Sequence, residues 1–286
     1  MRITEKLQNR HPILVVEFKP DDPNLLNSVE KVKPYVDTIR LTALRNASDP
    51  NDPTKTAEQI CFESAINVTQ KTGLDVMASL ICRDHPHGDG QILANLKRSG
   101  VQNLLAVYGD KNDPPSGNRY EFRTSPELIR WVRKQEFGDD SDRFCIAVGI
   151  DPTHKDIRKQ ISSLKEKREA GADLAITQPI FQPYQVIGSL KAYEAADEFM
   201  PVLIGLLVPK SDKSIAFLEK RLGVNVPSIV KERLRNGKAG EGLRIIREVY
   251  QALWNRVPGF YIYQWADPEL TVVTGLLQEL RGHTKG

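Results

Sequence analysis

The chain has 286 residues, with 40 Lys and Arg against 37 Asp and Glu, a net charge of +3 at neutral pH. That length suits one large barrel or two average domains, and the charge balance gives no reason to expect a nucleic-acid or membrane-surface partner. At 40% hydrophobic and 27% charged residues the composition is that of a folded globular chain.

In chain order, short apolar runs alternate with stretches of helical spacing. A strand is expected at 13–18 (ILVVEF) and a helix at 24–33, then a strand at 36–42 and a long helix at 56–72. Strand 75–81 precedes helix 90–99, and strand 101–107 precedes a Pro-, Gly- and Asn-rich loop (110–124) and helix 126–135. Strand 144–149 leads to the charged helix 155–170, strand 173–178 to helix 184–196, and strand 201–207 to helix 211–221. Two further helices, 228–235 and 241–255, come before strand 259–264 and helix 268–279. The strands are rich in Val, Ile and Leu, as strands buried on both faces should be. Alternation without hairpins implies a parallel sheet. Eight such units in under three hundred residues predict a (β/α)₈ TIM barrel with extra helices between strands seven and eight, a single domain over 1–286. Thr72-Gly73, Ser99-Gly100 and Ala170-Gly171 place a glycine where a helix should end.

No apolar run approaches the roughly 18 residues of a membrane helix, and the first ten residues lack the apolar centre of a signal peptide. Three scattered cysteines, Cys61, Cys82 and Cys145, form no CxxC pair, which predicts reduced thiols in a cytoplasmic setting and neither a disulfide frame nor a zinc cluster. His85 and His87 lie in a Pro- and Gly-containing loop with no further Cys or His nearby, so they read as solvated and no metal site is expected. GxGxxG, GxxxxGK[ST] and GxSxG are all absent.

In such a barrel the chemistry sits at the C-terminal ends of the strands. Glu17 and Gln178 stand out there, a carboxylate and an amide in otherwise apolar strands that must find partners or cost several kcal/mol, about 2–7. Each alone reads as well as a satisfied core group as a ligand contact, but several polar groups at one mouth favour a ligand site. A buried glutamate there suits a general acid near neutral pH. Asp110 follows Gly109, where a backbone can approach a flat ligand closely.

The segments V-E-F-K-P (16–20), L-A-V-Y-G-D (105–110) with Pro114-Pro115-Ser116-Gly117 beyond, A-G-A-D-L-A-I-T-Q (170–178), I-G-L-L-V-P (204–209) and G-F-Y-I-Y (259–263) together resemble methylenetetrahydrofolate reductase, in the right order over nearly the whole chain. The resemblance implies an oxidoreductase of the CH–NH group of a folate, reducing 5,10-methylenetetrahydrofolate to 5-methyltetrahydrofolate with NADH or NADPH in one-carbon metabolism and methionine biosynthesis. It further implies that Glu17 is the acid that opens the methylene bridge to an iminium. By the same likeness Asp110 is a carboxylate near the pterin and Gln178 an amide on the pterin. Thr42 matches a hydroxyl serving substrate and cofactor, while Gly109, His154 and Lys167 match cofactor-binding positions.

The chain departs from the family pattern at several flavin contacts. Ser79 stands where typical members have His, Tyr108 where they have Arg, and Gln160 where they have Asp. Asp212 takes the place of an aromatic after strand seven, and Ala266-Asp267 replaces an Asn-Arg pair. The segment after strand five is shortened to Ile150-Asp151-Pro152. FAD is expected from the family, yet these departures predict an atypical member in which hydride passes directly from NAD(P)H to the folate iminium. Two other readings stay open. One is a pterin-dependent methyltransferase-type barrel, which would show no folate-dependent oxidation of NADH. The other is a catalytically silent folate-binding subunit, against which the retained proton donor Glu17 argues. The oligomeric state is left open.

Overall fold

The structure is a computed structural model that describes residues 1–8, 12–43, 49, 52, 54–82, 90–109, 122–136, 143–197, 200–264, 267 and 269–283. Eight strands pair in parallel in chain order and close into a barrel: β1 (Ile13–Phe18), β2 (Thr38–Leu41), β3 (Asp75–Ile81), β4 (Asn103–Val107), β5 (Cys145–Ile150), β6 (Leu174–Pro179), β7 (Val202–Leu206) and β8 (Gly259–Ile262). Closure is made by β8 against β1, with Ile13 opposite Gly259 and Val16 opposite Ile262. The expected (β/α)₈ architecture is therefore present.

The helices are α1 (Ile3–Lys6), α2 (Leu25–Val32), α3 (Ala57–Thr72), α4 (Gly90–Arg98), α5 (Ser125–Gln135), α6 (Ile157–Glu169), α7 (Pro183–Ala195), α8 (Asp212–Leu222), α9 (Ser228–Asn236), α10 (Glu241–Leu253) and α11 (Thr271–His283). The extra helices expected between strands seven and eight are α9 and α10, which follow α8. Local sequence sets the helix ends. Thr56 begins α3 with a capping box, its hydroxyl accepting from the Gln59 N–H. Gly73, Gly100 and Gly171 end or follow α3, α4 and α6 with φ of 67, 85 and 106°, as their dipeptides predicted.

Two elements differ from the sequence expectation. β2 is shorter than 36–42 because Lys33–Tyr35 winds into a 3₁₀ turn with Pro34 at its start. The four-residue α1 was not foreseen, being too short to carry a periodicity. It places Ile3, fully buried, beneath the barrel, where the Ile3 N–H donates to Asn103 Oδ1 at 2.7 Å.

Strand alternation divides the core in two. Leu14, Val16, Phe18 and their counterparts face outward to the helices, while Ile13, Val15, Met77, Leu105, Cys145, Ala147, Leu174, Ile176 and Leu203 fill the barrel interior together with Ile3 and Tyr261.

Candidate active site

Ile13 and Val15 point into the barrel, so alternation turns Glu17 inward one layer higher, at the C-terminal mouth. Register sets Arg40 of β2 directly beside it. Arg40 Nη1 donates to Glu17 Oε2 at 2.5 Å and to the Tyr261 hydroxyl at 2.9 Å. Arg40 Nε and Nη2 both donate to Ser79 Oγ, at 3.2 and 3.0 Å, and Ser79 Oγ donates onward to the Leu41 carbonyl at 2.7 Å. The Tyr261 hydroxyl in turn donates to Glu17 Oε2.

This network is well buried: Glu17 is 7% exposed, Tyr261 1% and Ser79 0%. Taking two charges out of water is costly unless the pair is close and further hydrogen bonds support it, as those of Arg40 to Tyr261 and Ser79 do here. Burial opposes the charge on Arg40, but Tyr261 and Glu17 outweigh it and hold the guanidinium pKa above its ordinary value. Burial, with the nearby Glu17 carboxylate adding to it against the pull of Arg40, drives the Tyr261 phenol well above its usual range, so it stays a donor. The sequence set Glu17 among apolar strands alone; the structure gives it a guanidinium and a phenol instead.

A second cluster stands beside the first. Tyr263 packs edge-on against Tyr261 with ring centroids 4.7 Å apart, and its hydroxyl donates to the Thr177 carbonyl at 2.9 Å. Burial raises the Tyr263 pKa as well. Against β7, β6 carries one extra residue: Ile176 pairs with Leu203 and Pro179 with Gly205, a bulge at Thr177 and the half-buried Gln178. Thr177 Oγ1 donates to the Gln178 carbonyl at 2.7 Å and accepts the Gly205 N–H at 2.8 Å. A Cβ at 205 would stand 2.6 Å from the Thr177 carbonyl oxygen and 2.8 Å from the Tyr263 ring, so the bulge requires glycine there. Two tyrosines of the β8 end thus connect Glu17 to the segment carrying Gln178.

The remaining expected residues sit around the rim. Thr42 is buried, its hydroxyl donating to the Phe18 carbonyl at 3.3 Å. Gly109 has φ 99°, a conformation glycine adopts freely. Lys167 Nζ donates to the Gly149 carbonyl at 2.9 Å, and burial lowers its pKa. His154 is exposed and its Nδ1 accepts the Asp156 N–H at 3.1 Å, serving the turn into α6. None of Thr42, His154 and Lys167 hydrogen-bonds to the Glu17 network. Asp110, His85, His87 and Ala266 lie outside the described residues, as does the side chain of Asp212.

The sequence reading missed Arg40 and Tyr261. Arg40 carried the same signal as Glu17, a charge inside a four-residue apolar strand, but its partner Ser79 is distant in sequence. Among the described residues no group of three or more His, Cys, Asp or Glu is arranged to hold a metal ion, and no helix is long and apolar enough to cross a membrane.

Solved barrels of other enzymes share the fold. Phosphonopyruvate hydrolase aligns over 99% of this chain and 85% of its own with a TM-score of 0.53 at 11% identity. A 2,3-dimethylmalate lyase aligns over 99% and 86% with a TM-score of 0.52 at 16% identity. At such identities the likeness is one of fold alone. Sequence relatives are more specific. Methylenetetrahydrofolate reductase 2 of Schizosaccharomyces pombe is 28% identical over 196 residues, 59% of this chain and 30% of that protein. A probable methylenetetrahydrofolate reductase (NADPH) of Caenorhabditis elegans is 23% identical over 243 residues, 82% and 36%. The 5,10-methylenetetrahydrofolate reductase of Buchnera aphidicola is 29% identical over 122 residues, 42% and 40%. The chain thus spans about a third of the length of these curated relatives. The family model for methylenetetrahydrofolate reductase matches residues 4–264, and the chain belongs to that family.

Proposed function

We propose that the chain is a single catalytic barrel that reduces 5,10-methylenetetrahydrofolate to 5-methyltetrahydrofolate, with NADH or NADPH as hydride donor. The observation that carries this reading is a buried, inward-facing Glu17 at the mouth of a barrel whose family match runs from residue 4 to 264. Glu17 protonates the bridge nitrogen that leaves the methylene carbon, and the lone pair of the other nitrogen forms the iminium. Hydride from the nicotinamide then reduces that carbon to methyl, so the reaction consumes one NAD(P)H and one proton. Gln178 and Asp110 hold the pterin in this reading. By the family likeness Thr42, Gly109, His154 and Lys167 are the cofactor-side positions.

The residues do not fit FAD. Ser79, at a flavin-contact position of the family, has its hydroxyl engaged by Arg40 and the Leu41 carbonyl. Gln160, at another, donates to the Pro152 and His154 carbonyls and accepts from the Tyr193 hydroxyl at 2.8 Å. Lys167 is turned to the Gly149 carbonyl. Groups already satisfied within the protein give up those bonds only at a cost, which supports direct hydride transfer with the protein supplying position and a proton. The test is a visible spectrum of the purified chain, with nicotinamide absorbance followed on adding methylenetetrahydrofolate. Folate-dependent oxidation without a stoichiometric yellow chromophore is expected. A bound flavin defeats the flavin-free reading, and absence of folate-dependent oxidation defeats the reductase.

A further inference from the structure

We infer that Arg40 and Tyr261 are positioning residues that clamp the Glu17 carboxyl by one oxygen, Oε2, and leave Oε1 as the edge that delivers the proton. The inference rests on the reductase reading for what the proton does, but the clamp itself is a matter of geometry.

Two donors from different strands converge on Oε2: the guanidinium of Arg40 on β2 and the phenol of Tyr261 on β8. The donors are themselves tied, since Arg40 Nη1 also donates to the Tyr261 oxygen and its other nitrogens hold Ser79. A glutamate side chain has several rotamers to lose, and this triangle fixes one of them. Oε1 has no hydrogen-bond partner among the described residues. Thr69 Oγ1 is the described side-chain polar atom that is sealed from solvent without a partner, so Oε1 keeps an open edge. That edge lies at the C-terminal mouth, one layer above the apolar filling of the barrel.

The division of labour between the two oxygens has chemical content. Oε2 already accepts two donors, so a proton that reaches the carboxylate is received by Oε1. When Oε1–H gives its proton to the departing bridge nitrogen, the new carboxylate charge develops against a preformed cation and a preformed O–H donor. Water at the mouth returns the proton to Oε1 after hydride transfer. Tyr261 is not the source, because burial holds its proton firmly. A purely structural ion pair would contribute to stability and leave the chemical step alone.

The full chain is tested as Tyr261→Phe, Arg40→Lys and Arg40→Met, with kcat and KM for methylenetetrahydrofolate. The infrared carboxyl band of Glu17, isolated by subtracting the spectrum of Glu17→Gln, is read in parallel. Tyr261→Phe is expected to lower kcat about tenfold and Arg40→Met about a hundredfold, each no more than a whole general acid–base contribution of about 10²–10⁴, with KM nearly unchanged. Arg40→Lys keeps the charge without the fork and should recover only part of the loss. The Glu17 band should move in each variant. Should Arg40→Met fail to fold, the other two carry the test. Variants with unchanged kcat and an unmoved Glu17 band overturn the clamp, as does a change confined to KM. If the unaltered chain shows no folate-dependent oxidation, the reductase reading has failed. The band then decides the clamp alone: movement in Tyr261→Phe supports it, and an unmoved band overturns it.

Discussion

The lower and upper parts of the barrel interior are built by alternate residues of the same eight strands, yet they obey different rules. Below, Ile13, Val15, Leu174 and Leu203 meet the buried Ile3 of α1 in a largely apolar filling, with Asn103 accepting the Ile3 N–H. Above, the next inward positions of β1, β2, β3 and β8 are Glu17, Arg40, Ser79 and Tyr261, joined by hydrogen bonds. The lower layer minimises exposed apolar surface, and almost any side chain of the right volume serves it. The upper layer carries a carboxylate and a guanidinium out of bulk water, at a desolvation cost that their pairing must offset.

The sharpest way to break this contrast is a pair of single changes. Glu17→Gln keeps the side chain's shape and is expected to cut turnover about a thousandfold, while folate affinity and urea midpoint change little. Leu203→Ala should do the reverse. It is expected to lose about 2–5 kcal/mol of stability to a cavity, with kcat per folded molecule unchanged; urea titration and nicotinamide absorbance read the two together. Equal effects on both quantities in both variants would erase the distinction.

Two glycines sharpen it further. Gly205→Ala drives a methyl into the Thr177 carbonyl at the β6 bulge and should cost about 1–3 kcal/mol. Ligand affinity should fall with it, because the bulge carries Gln178. Gly149→Ala places its methyl in open space at the mouth and should leave stability within about 0.5 kcal/mol. Calorimetric folate titration checks whether that open space belongs to the ligand.

A separate effect, set by pH and not by substitution, is on alkaline stability. Burial pushes Cys61, Cys82 and Cys145 each up to about 12 from 9.0. Above pH 9.0 the unfolded thiols lose protons that the folded ones keep, so stability should be flat below that pH and fall as pH rises toward 12. The slope is about 1.4 kcal/mol per pH unit for each such thiol. Urea midpoints on either side of pH 9.0 measure it.

The strands were legible because each is a short apolar run between helical stretches, and a strand buried on both faces reads that way. Glu17 and Gln178 were legible as polar residues out of place in such runs. The network around Glu17 was not. Arg40 meets Ser79 across 39 residues and Tyr261 meets Glu17 across 244, and such pairings depend on barrel register. Ser79 was noticed as a departure from the family pattern, but only the fold shows that Arg40 engages its hydroxyl. The β6 bulge was equally silent, because Thr177 and Gly205 acquire their meaning from each other.

The strand that closes the barrel is also the last to be made. Translation releases residues at about 5–20 per second, so Glu17 leaves the ribosome many seconds before Tyr261, 244 residues later. During that interval α8, α9 and α10 are synthesised while β1 and β7 both present an unpaired edge. Pairings so distant in sequence are slow to form, and an open parallel edge is where a nascent chain aggregates. The seam between β8 and β1 thus also completes the Glu17 network, so a chain stalled before β8 has both an open edge and a Glu17 without its phenol.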